Sequence, residues 1–310
     1  MSLSHQRHKL IAIVGPTATG KSNLGIALAN QIGGEIVSCD STAVYRGFDI
    51  GTDKVLPKQQ QGIPHYLIDV VDPDESYSAA RYAREATETI NRICMSGLVP
   101  ILVGGTGLYF RALTRGLFPG PARNNLLRNR LSDIANRKGP EWLHQMVARI
   151  DPPSGLRIHP QDVKRLVRAL EVYFLTKRPL TEHFAETRSP LEHYEILAFA
   201  LKLEQRIISS RIAERVDRQF SRGLVSEVRS LLKQGVSEDA HPFTGLVYRQ
   251  VLDHLKGIRN ESETRELIIK ENEKYARRQL VWFRKEPNLQ WINLSGEDPE
   301  AIKIVLNRIT

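Results

Sequence analysis

The 310-residue sequence predicts an α/β fold, in which a parallel sheet flanked by helices is interrupted by an inserted all-helical module. Three observations lead to this prediction. Short apolar strands alternate with helical segments in the first third of the chain, a pattern typical of parallel sheets with right-handed crossovers. A glycine-rich loop joins the first strand to the first helix. Between Gly120 and Thr187, by contrast, the hydrophobic periods are helical only.

The individual strands and helices are predicted from hydrophobic periodicity. Apolar runs that end at turns predict buried strands, and apolar residues spaced three and four apart predict helices. The predicted strands are Leu10–Val14, Glu35–Ser38, Tyr66–Val71, Pro100–Val103, Glu195–Leu201 and Gln290–Leu294. The predicted helices outside the insert are Lys21–Ile32, Ala79–Met95, Glu204–Arg222, Leu224–Gln234, Tyr248–Lys256 and Glu261–Arg284.

The insert opens at Pro119-Gly120-Pro121 and contains the predicted helices Asn124–Asn136, Glu141–Ile150 and Val163–Thr176. Residues 120–190 carry 13 Lys and Arg against 7 Asp and Glu, which is six of the nine net positive charges. Such a patch favours a phosphate-backbone partner, and the alternative is a solvated, Arg-rich helix surface. We predict a core of residues 1–119 and 188–310 and an inserted domain at 120–187.

The composition is that of an ordinary globular protein. Apolar residues make up 41% and charged residues 25%, which excludes a disordered tail, a fibre and a small disulfide-stapled scaffold. We find no run of about 18 apolar residues and no signal-peptide core after Met1–Lys9. Cys39 and Cys94 are too few for a disulfide framework. We expect a cytoplasmic monomer without a membrane partner.

The loop between the first strand and first helix matches the phosphate-binding pattern G-x-x-x-x-G-K-[ST]. Its glycines allow successive backbone N–H groups to point at one anion, Lys21 adds a positive charge, and the hydroxyl of Ser22 can hold Mg²⁺. The alternative is a glycine-rich turn that only caps a helix. The loop, which predicts a P-loop fold of the kinase-like kind, consists of Gly15, Pro16, Thr17, Ala18, Thr19, Gly20, Lys21 and Ser22.

These residues are compatible with more than one kind of phosphate compound. A GTPase would need an Asn-Lys-x-Asp motif, which the chain lacks. A small-molecule kinase with a helical lid remains an alternative, as does an RNA-binding protein with a regulatory nucleotide switch. Asp40 follows the second strand at the edge where ligands of this fold bind, so it suits a metal ligand, a general base or a turn residue. Arg211 and Arg215 lie four apart on one helix and either line the diphosphate site or form a solvated pair.

Six sequence blocks, taken together, resemble one family. They read GPTATGKS, SCDSTAVYRGFDIGT, HYLIDVVDPDESYSAARY, ILVGGTGLYFRAL, RIHPQDVKRLVRALEVY and YARRQLVWFRK, in that order. From about Leu10 to Trp291 the chain is similar to the tRNA dimethylallyltransferases, also called tRNA isopentenyltransferases. The resemblance implies transfer of a dimethylallyl group from dimethylallyl diphosphate to the exocyclic amine of the tRNA adenosine immediately 3′ of the anticodon, adenosine-37. The P-loop would then hold the diphosphate leaving group, with Mg²⁺ near Ser22.

The resemblance also implies roles for individual residues. Asp40 accepts a proton or hydrogen bond from the adenine amine, and Thr106 is a second catalytic residue, set between the donor phosphate and tRNA. Val247 stands where the family usually has glycine, so we expect the local backbone to differ there, since a β-branched residue tolerates positive φ poorly. Contacts with the tRNA anticodon stem-loop are implied for Asp40, Ser41, Thr42, Ala43, Thr106, Arg128, Gln161, Asp162, Val163, Lys164, Arg165, Thr244, Gly245, Leu246, Val247, Tyr248 and Arg249.

Overall fold

A computed structural model describes residues 8–118 and 120–309. Most of the N-terminal segment considered above for a signal peptide, and Pro119 at the predicted domain boundary, lie outside the described residues. The chain divides into two compact units. The larger unit, called here the sheet unit, comprises residues up to Thr114 and from Leu191 onward, and the helical unit comprises Arg115–Pro190.

The sheet unit is built on a parallel sheet of six strands in the described chain, ordered β3-β2-β4-β1-β5-β6. Central β1 pairs with β4 on one side and β5 on the other, so that Ile11 lies between Ile101 and Leu197. This architecture confirms the predicted α/β fold. The strands are β1 (His8–Val14), β2 (Gly34–Cys39), β3 (His65–Tyr66), β4 (Val99–Gly104), β5 (Tyr194–Leu201) and β6 (Leu289–Ile292).

The helices of the sheet unit surround the sheet, and those of the helical unit pack on each other. No helix within the described residues is both long and apolar enough to span a bilayer. In the sheet unit the helices are α1 (Lys21–Ile32), α2 (Ala79–Met95), α3 (Gly107–Thr114), α9 (Gln205–Ser221), α10 (Leu224–Lys233), α11 (Leu246–Leu255), α12 (Glu261–Phe283) and α13 (Pro299–Ile309). In the helical unit they are α4 (Asn125–Lys138), α5 (Pro140–Ile150), α6 (Pro152–Arg157), α7 (Val163–Thr176) and α8 (Leu180–Ala185).

The two faces of the sheet bury separate apolar layers, because successive side chains of a strand point to opposite faces. Leu10, Ala12 and Val14 of β1 pack with residues of α2, α3 and α9 to α12. Ile11 and Ile13 pack with α1 and α13 on the other face. The near-continuous burial of β1 is thus that of a central parallel strand covered on both sides.

The predicted strand Tyr66–Val71 was wrong beyond its first residue. The β3 strand ends at Tyr66 because the backbone then turns through left-handed residues, with φ of 62° at Leu67 and 54° at Asp69. Val71 returns only as an isolated bridge to Tyr45. The periodicity also missed the short helices α3, α6 and α8 and the last helix, α13. Three of these four have eight residues or fewer, too few turns to establish a helical period.

Glu171 is the buried charge at the centre of the helical unit. Its carboxylate is fully buried and accepts hydrogen bonds from Arg128 (2.8 Å, twice), Arg168 (2.6 Å) and the backbone N–H of Asn124 (2.8 Å). Burial alone would raise the pKa of Glu171, but the hydrogen bonds, first that from Arg128, lower it to about 2. The carboxylate therefore holds the start of α4 against α7.

We expect Glu171→Ala to destabilise the helical unit by roughly 3–5 kcal/mol, the usual cost of breaking a buried ion pair. Because the folded pKa lies below the unfolded value of about 4.3, this stabilisation is present above about pH 4.5 and is lost as the pH falls toward 2. Hydrogen exchange of α7 in wild type and variant at pH 7 measures the difference. Equal protection of α7 in both proteins would contradict this role.

Candidate functional site

The carboxyl ends of β1, β2 and β4 meet at one edge of the sheet, and a cavity of about 1220 Å³ opens there. The phosphate-binding loop follows β1, residues 40–56 follow β2, and Gly104-Gly105 ends β4. Residues from α9, α11 and α12 complete the lining. The whole cavity is formed within the sheet unit.

The phosphate-binding loop is tightly curled, as its glycines require. Gly15 (φ 133°) passes so close to β5 that a Cβ atom there would lie 2.6 Å from the carbonyl oxygen of Leu201. Ala18 and Gly20 are also left-handed, with φ of 64° and 85°. The buried Thr19 hydroxyl closes the loop by donating to the carbonyl of Pro16 at 2.9 Å. The α1 helix begins at Lys21, directly after Gly20, so its N-terminus faces the loop.

Gln279 of α12 bridges the phosphate-binding loop to the end of β4. Its Oε1 accepts a hydrogen bond from the backbone N–H of Thr17 at 2.8 Å, and its Nε2 donates to the carbonyl of Gly105 at 2.9 Å. The side chain is buried, so both bonds lie away from solvent. Gln279 therefore fixes the spacing between two of the three strand ends that form the cavity.

Three basic side chains converge on the phosphate-binding loop. Lys21 Nζ donates to the carbonyl of Pro16 at 2.6 Å, Arg215 Nη1 donates to Thr17 Oγ1 at 2.7 Å, and Arg211 Nη1 lies 3.5 Å from the carbonyl of Ala18. Burial, and then the charge of Arg215, lower the pKa of Lys21 to about 7. Both arginines line the cavity, so they share the face that their spacing suggests. This concentration of positive charge suits a polyanion.

Ser22 lines the same cavity beside Lys21. The described residues bring together no group of three His, Cys, Asp or Glu side chains that could hold a metal ion. Mg²⁺ commonly takes few protein ligands and completes its octahedron with phosphate oxygens and water. A single hydroxyl next to the predicted diphosphate site therefore fits the predicted Mg²⁺, which would bind together with the diphosphate.

Asp40 stands at the end of β2, where Ser41, Thr42 and Ala43 also line the cavity. Its Oδ1 accepts hydrogen bonds from the backbone N–H of Thr42 at 2.8 Å and from the Thr42 hydroxyl at 2.7 Å. One carboxylate oxygen thus stabilises the turn, as the turn interpretation of this residue predicts. These contacts fix the orientation of the carboxylate in the cavity wall.

Thr106 lies behind this loop and is not among the residues that line the cavity. Its Oγ1 accepts a hydrogen bond from the backbone N–H of Ser41 at 3.0 Å and donates to the Ser41 hydroxyl at 3.3 Å. Its own backbone N–H donates to Cys39 at 3.0 Å. In this geometry Thr106 holds the residue next to Asp40 in place, and its contact with the donor phosphate stays a prediction.

The predicted difference between the backbone at Val247 and that of the family's glycine stays a prediction. Val247 is the second residue of α11 and is not among the residues with positive φ, so its β-branched side chain causes no strain there. It is buried against the cavity together with Tyr248. Residues 244–248 all contribute to the lining, whereas Arg249 is exposed and does not.

The predicted tRNA contacts of the helical unit have mixed surroundings. Arg128 is committed to the buried Glu171, and Asp162 caps α7 by accepting from the N–H of Arg165 at 3.2 Å. The side chain of Gln161 donates to Glu141 at 2.5 Å. Val163 is half-buried. Lys164 and Arg165 are exposed, so within this predicted segment they are the basic groups available to a phosphate backbone.

Comparison with known proteins identifies the family of this chain. Residues 43–286 match the sequence model of the family described as IPP transferase. The tRNA dimethylallyltransferase of Solibacter usitatus is 43% identical over 300 residues, which cover 97% of this chain and 97% of that protein. The chain belongs to the IPP transferase family.

Solved structures agree with this family assignment. The full-length tRNA isopentenylpyrophosphate transferase of Bacillus halodurans aligns with a TM-score of 0.73 and 36% identity, covering 98% of this chain and 96% of that one. A eukaryotic dimethylallyltransferase described as acting on tRNA aligns with a TM-score of 0.79 and 25% identity, over 97% of this chain and 79% of its own. The resemblance found in the sequence is confirmed, and so is the prediction of a tRNA-modifying transferase over the small-molecule kinase.

Several residues that line the cavity were not singled out by the sequence analysis. Tyr275 lines the cavity from α12, and burial, followed by the negative charge of Asp40, raises the pKa of its phenol while Thr106 acts in the opposite direction. Tyr275 and Gln279 lie in the quoted block YARRQLVWFRK, where their spacing of four places them on one helix face. Asp53 and Gln219 also line the cavity, and neither belongs to a recognisable motif.

Binding of diphosphate should draw a proton onto Lys21. With a pKa of about 7, most of this amine is neutral at pH 8, and a bound anion favours its charged form and raises its pKa. At pH 8 we expect wild type to take up about one more proton than Lys21→Met when inorganic diphosphate and Mg²⁺ bind. Calorimetric titration in two buffers of different ionisation enthalpy counts these protons.

The sign of the pH dependence follows from the same shift. The Lys21 contribution to diphosphate affinity is complete only well below pH 7 and declines as the pH rises through 7, since the proton must then be taken from solution. Equal proton uptake by wild type and Lys21→Met at pH 8 would show that this amine is already charged before the anion binds.

Proposed function

We propose that this member of the IPP transferase family transfers the dimethylallyl group of dimethylallyl diphosphate to the exocyclic amine of the tRNA adenosine 3′ of the anticodon. One observation carries the proposal: a curled, cationic phosphate-binding loop and the carboxylate of Asp40 line one cavity. An anion-binding end and a carboxylate within one cavity suit a reaction that expels diphosphate and removes a proton from an amine.

The phosphate-binding loop would hold the leaving group. Its backbone N–H groups, Lys21 and Arg215 can donate to the diphosphate oxygens as negative charge develops on them, and this fixed arrangement stabilises the transition state. A magnesium ion held by Ser22 and the diphosphate would supply further charge neutralisation. The apolar lining, which includes Ile68, Val103 and Val247, suits the isoprenoid group and limits attack by water.

Asp40 would act at the acceptor. The lone pair of the adenine amine is delocalised into the ring, so the amine needs a hydrogen-bond partner that orients it and takes its proton. The bond between the donor carbon and diphosphate oxygen breaks, a bond from that carbon to the amine nitrogen forms, and the amine proton passes to Asp40. The adenosine must leave its base stack to reach the cavity, as in other enzymes that modify bases.

The helical unit would supply much of the tRNA contact. Residues 120–190 carry six of the nine net positive charges, and Lys164 and Arg165 are exposed near the start of α7. A sequence-independent attraction to phosphates would position the anticodon stem-loop, while the cavity selects the base. We propose further that the enzyme acts as a monomer in the cytoplasm, where its tRNA substrate is present.

The reaction is tested by incubating the protein with Mg²⁺, dimethylallyl diphosphate and unmodified tRNA, followed by mass spectrometry of the nucleosides. We expect prenylated adenosine from wild type and a 10²- to 10⁴-fold lower kcat from Asp40→Asn, because the variant lacks the basic carboxylate. Asparagine retains the oxygen that accepts from Thr42, so the turn and tRNA binding should persist.

The experiment tests the role of Asp40 and the proposed reaction separately. Wild-type turnover by Asp40→Asn would remove Asp40 from the proton transfer but leave the reaction intact. If wild type gives no prenylated adenosine and instead hydrolyses or transfers phosphate from ATP, the proposed reaction itself is refuted.

Removal of the exposed charges of α7 tests the tRNA surface. We expect Lys164→Ala combined with Arg165→Ala to weaken tRNA binding and to reduce the slope of log K against log salt by roughly one to two. The reason is that binding releases about one counterion fewer for each phosphate contact that is lost. Filter binding at several salt concentrations measures both quantities.

A matched control removes the same charge elsewhere. Lys303 and Arg308 are exposed on α13, and the double variant Lys303→Ala with Arg308→Ala should change the slope much less. Equal slopes for the two double variants would mean that the α7 pair contributes only net charge.

A further inference from the structure

We infer that Asp53 is a positioning residue for the transfer reaction, because its carboxylate holds the Arg215 guanidinium against the phosphate-binding loop. The inference rests on the proposed function, in which Arg215 contacts the donor diphosphate. Asp53 lies in the loop after β2. It is neither a residue of the phosphate-binding loop nor the proposed acceptor of the amine proton.

Arg215 is held at two points. Its Nε lies 3.0 Å from Asp53 Oδ2, and its Nη1 donates to Thr17 Oγ1 at 2.7 Å. The side chains are partly buried, with 25% of Arg215 and 34% of Asp53 exposed, and both line the cavity. The contact with Asp53 is an ion pair, and the hydrogen bond to Thr17 uses one of the five N–H donors of the planar guanidinium. Its orientation is therefore set while donors remain for phosphate oxygens.

The backbone at Asp53 is strained. Its φ of 55° is left-handed, a conformation that residues other than glycine rarely adopt. Such a residue persists only where its surroundings determine its conformation, and strained residues cluster at functional sites. Here the strained position is the one that aims a carboxylate at a cavity arginine.

Three separate anchors hold the turn that precedes Asp53. Glu227 of α10 accepts from the N–H groups of Asp49 at 3.1 Å and Ile50 at 2.8 Å. Gln219 of α9 donates to the carbonyls of Ile50 and Gly51 at 3.0 and 3.1 Å. The third anchor is Lys54, the residue after Asp53.

That third anchor is the buried ammonium of Lys54. It donates to Asp49 Oδ1 at 2.9 Å, to Asp69 Oδ1 at 2.5 Å and to the carbonyl of Tyr45 at 2.5 Å. Its side chain is only 2% exposed. Because Gln219 lies one helical turn after Arg215 on α9, the same helix carries the arginine and fixes the loop that positions it. The distance between Asp53 and Arg215 is thereby constrained from both sides.

The carboxylate of Asp53 has two opposite effects on diphosphate binding, and they predict opposite changes in donor affinity when it is removed. As a negative charge in the cavity wall it repels the ligand, so its removal should tighten donor binding. As a positioning group it saves the entropy of ordering a long, flexible arginine, and it offsets the repulsion between Arg215 and Lys21. The two contacts of Arg215 and the anchored loop favour the second effect, so removal of Asp53 should weaken donor binding.

The test compares Asp53→Gly and Asp53→Asn, since glycine and asparagine both tolerate the left-handed backbone. Glu214→Gln is the charge control, because Glu214 is another carboxylate of the cavity lining on α9. The Kd of dimethylallyl diphosphate with Mg²⁺ and the KM of each substrate are measured for these variants, for Arg215→Ala and for Asp53→Gly combined with Arg215→Ala.

We expect Asp53→Gly to raise the donor Kd and KM about tenfold and Asp53→Asn to raise them less, with tRNA KM within twofold of wild type. Glu214→Gln should bind the donor as tightly as wild type or more tightly. The double variant should bind it no more weakly than Arg215→Ala alone, because a residue that acts through Arg215 has no effect once that side chain is gone.

Unchanged or tighter donor binding by both Asp53 variants would overturn the inference, and so would full additivity in the double variant. A fall in kcat with unchanged donor Kd would also overturn it. If Arg215→Ala itself leaves the donor Kd unchanged, the proposed diphosphate site is wrong, a result that is distinct from failure of Asp53 alone. Should Asp53→Gly not fold, Asp53→Asn decides the same question by the sign of its effect.

Discussion

The position of β1 in the middle of a parallel sheet is the constraint on which the site depends. Because parallel strands end at the same edge, the pairing of β1 with β4 and of β4 with β2 brings three loops to one place. The first loop curls around the proposed anion site, the second carries Asp40, and the third supports the second through Thr106. Gln279 then ties the first loop to the third. A change of strand order would separate these groups.

Charge in the cavity is balanced locally. Arg211 pairs with Glu297 at 2.9 Å and Arg215 with Asp53 at 3.0 Å, while Lys21 is half-buried without a carboxylate in direct contact among the described residues. The depressed pKa of Lys21 is the consequence. In the proposed function, a diphosphate would meet arginines that are already oriented and a lysine that would become fully charged as the anion binds. This arrangement would concentrate binding energy at the proposed leaving group, where the reaction develops negative charge.

Much of this arrangement could be predicted from the sequence. Strand, loop and helix at Leu10–Ile32 follow from local patterns, and the motif dictates its own backbone geometry. Asp40 could be placed at the sheet edge because it follows a buried strand. The role of Asp53 could not, since an ion pair across 162 residues of chain depends on tertiary packing. For the same reason the ion pair between Arg128 and the buried Glu171 could not be predicted.

The most direct test of the account is a crystal structure of the protein with Mg²⁺ and an unreactive sulfur analogue of dimethylallyl diphosphate. We predict that the diphosphate lies within the phosphate-binding loop, in contact with Lys21 and Arg215, and that the isoprenoid group extends through the cavity toward Asp40. A diphosphate bound elsewhere, or an isoprenoid directed away from Asp40, would contradict the claim that one cavity joins the leaving group to the acceptor.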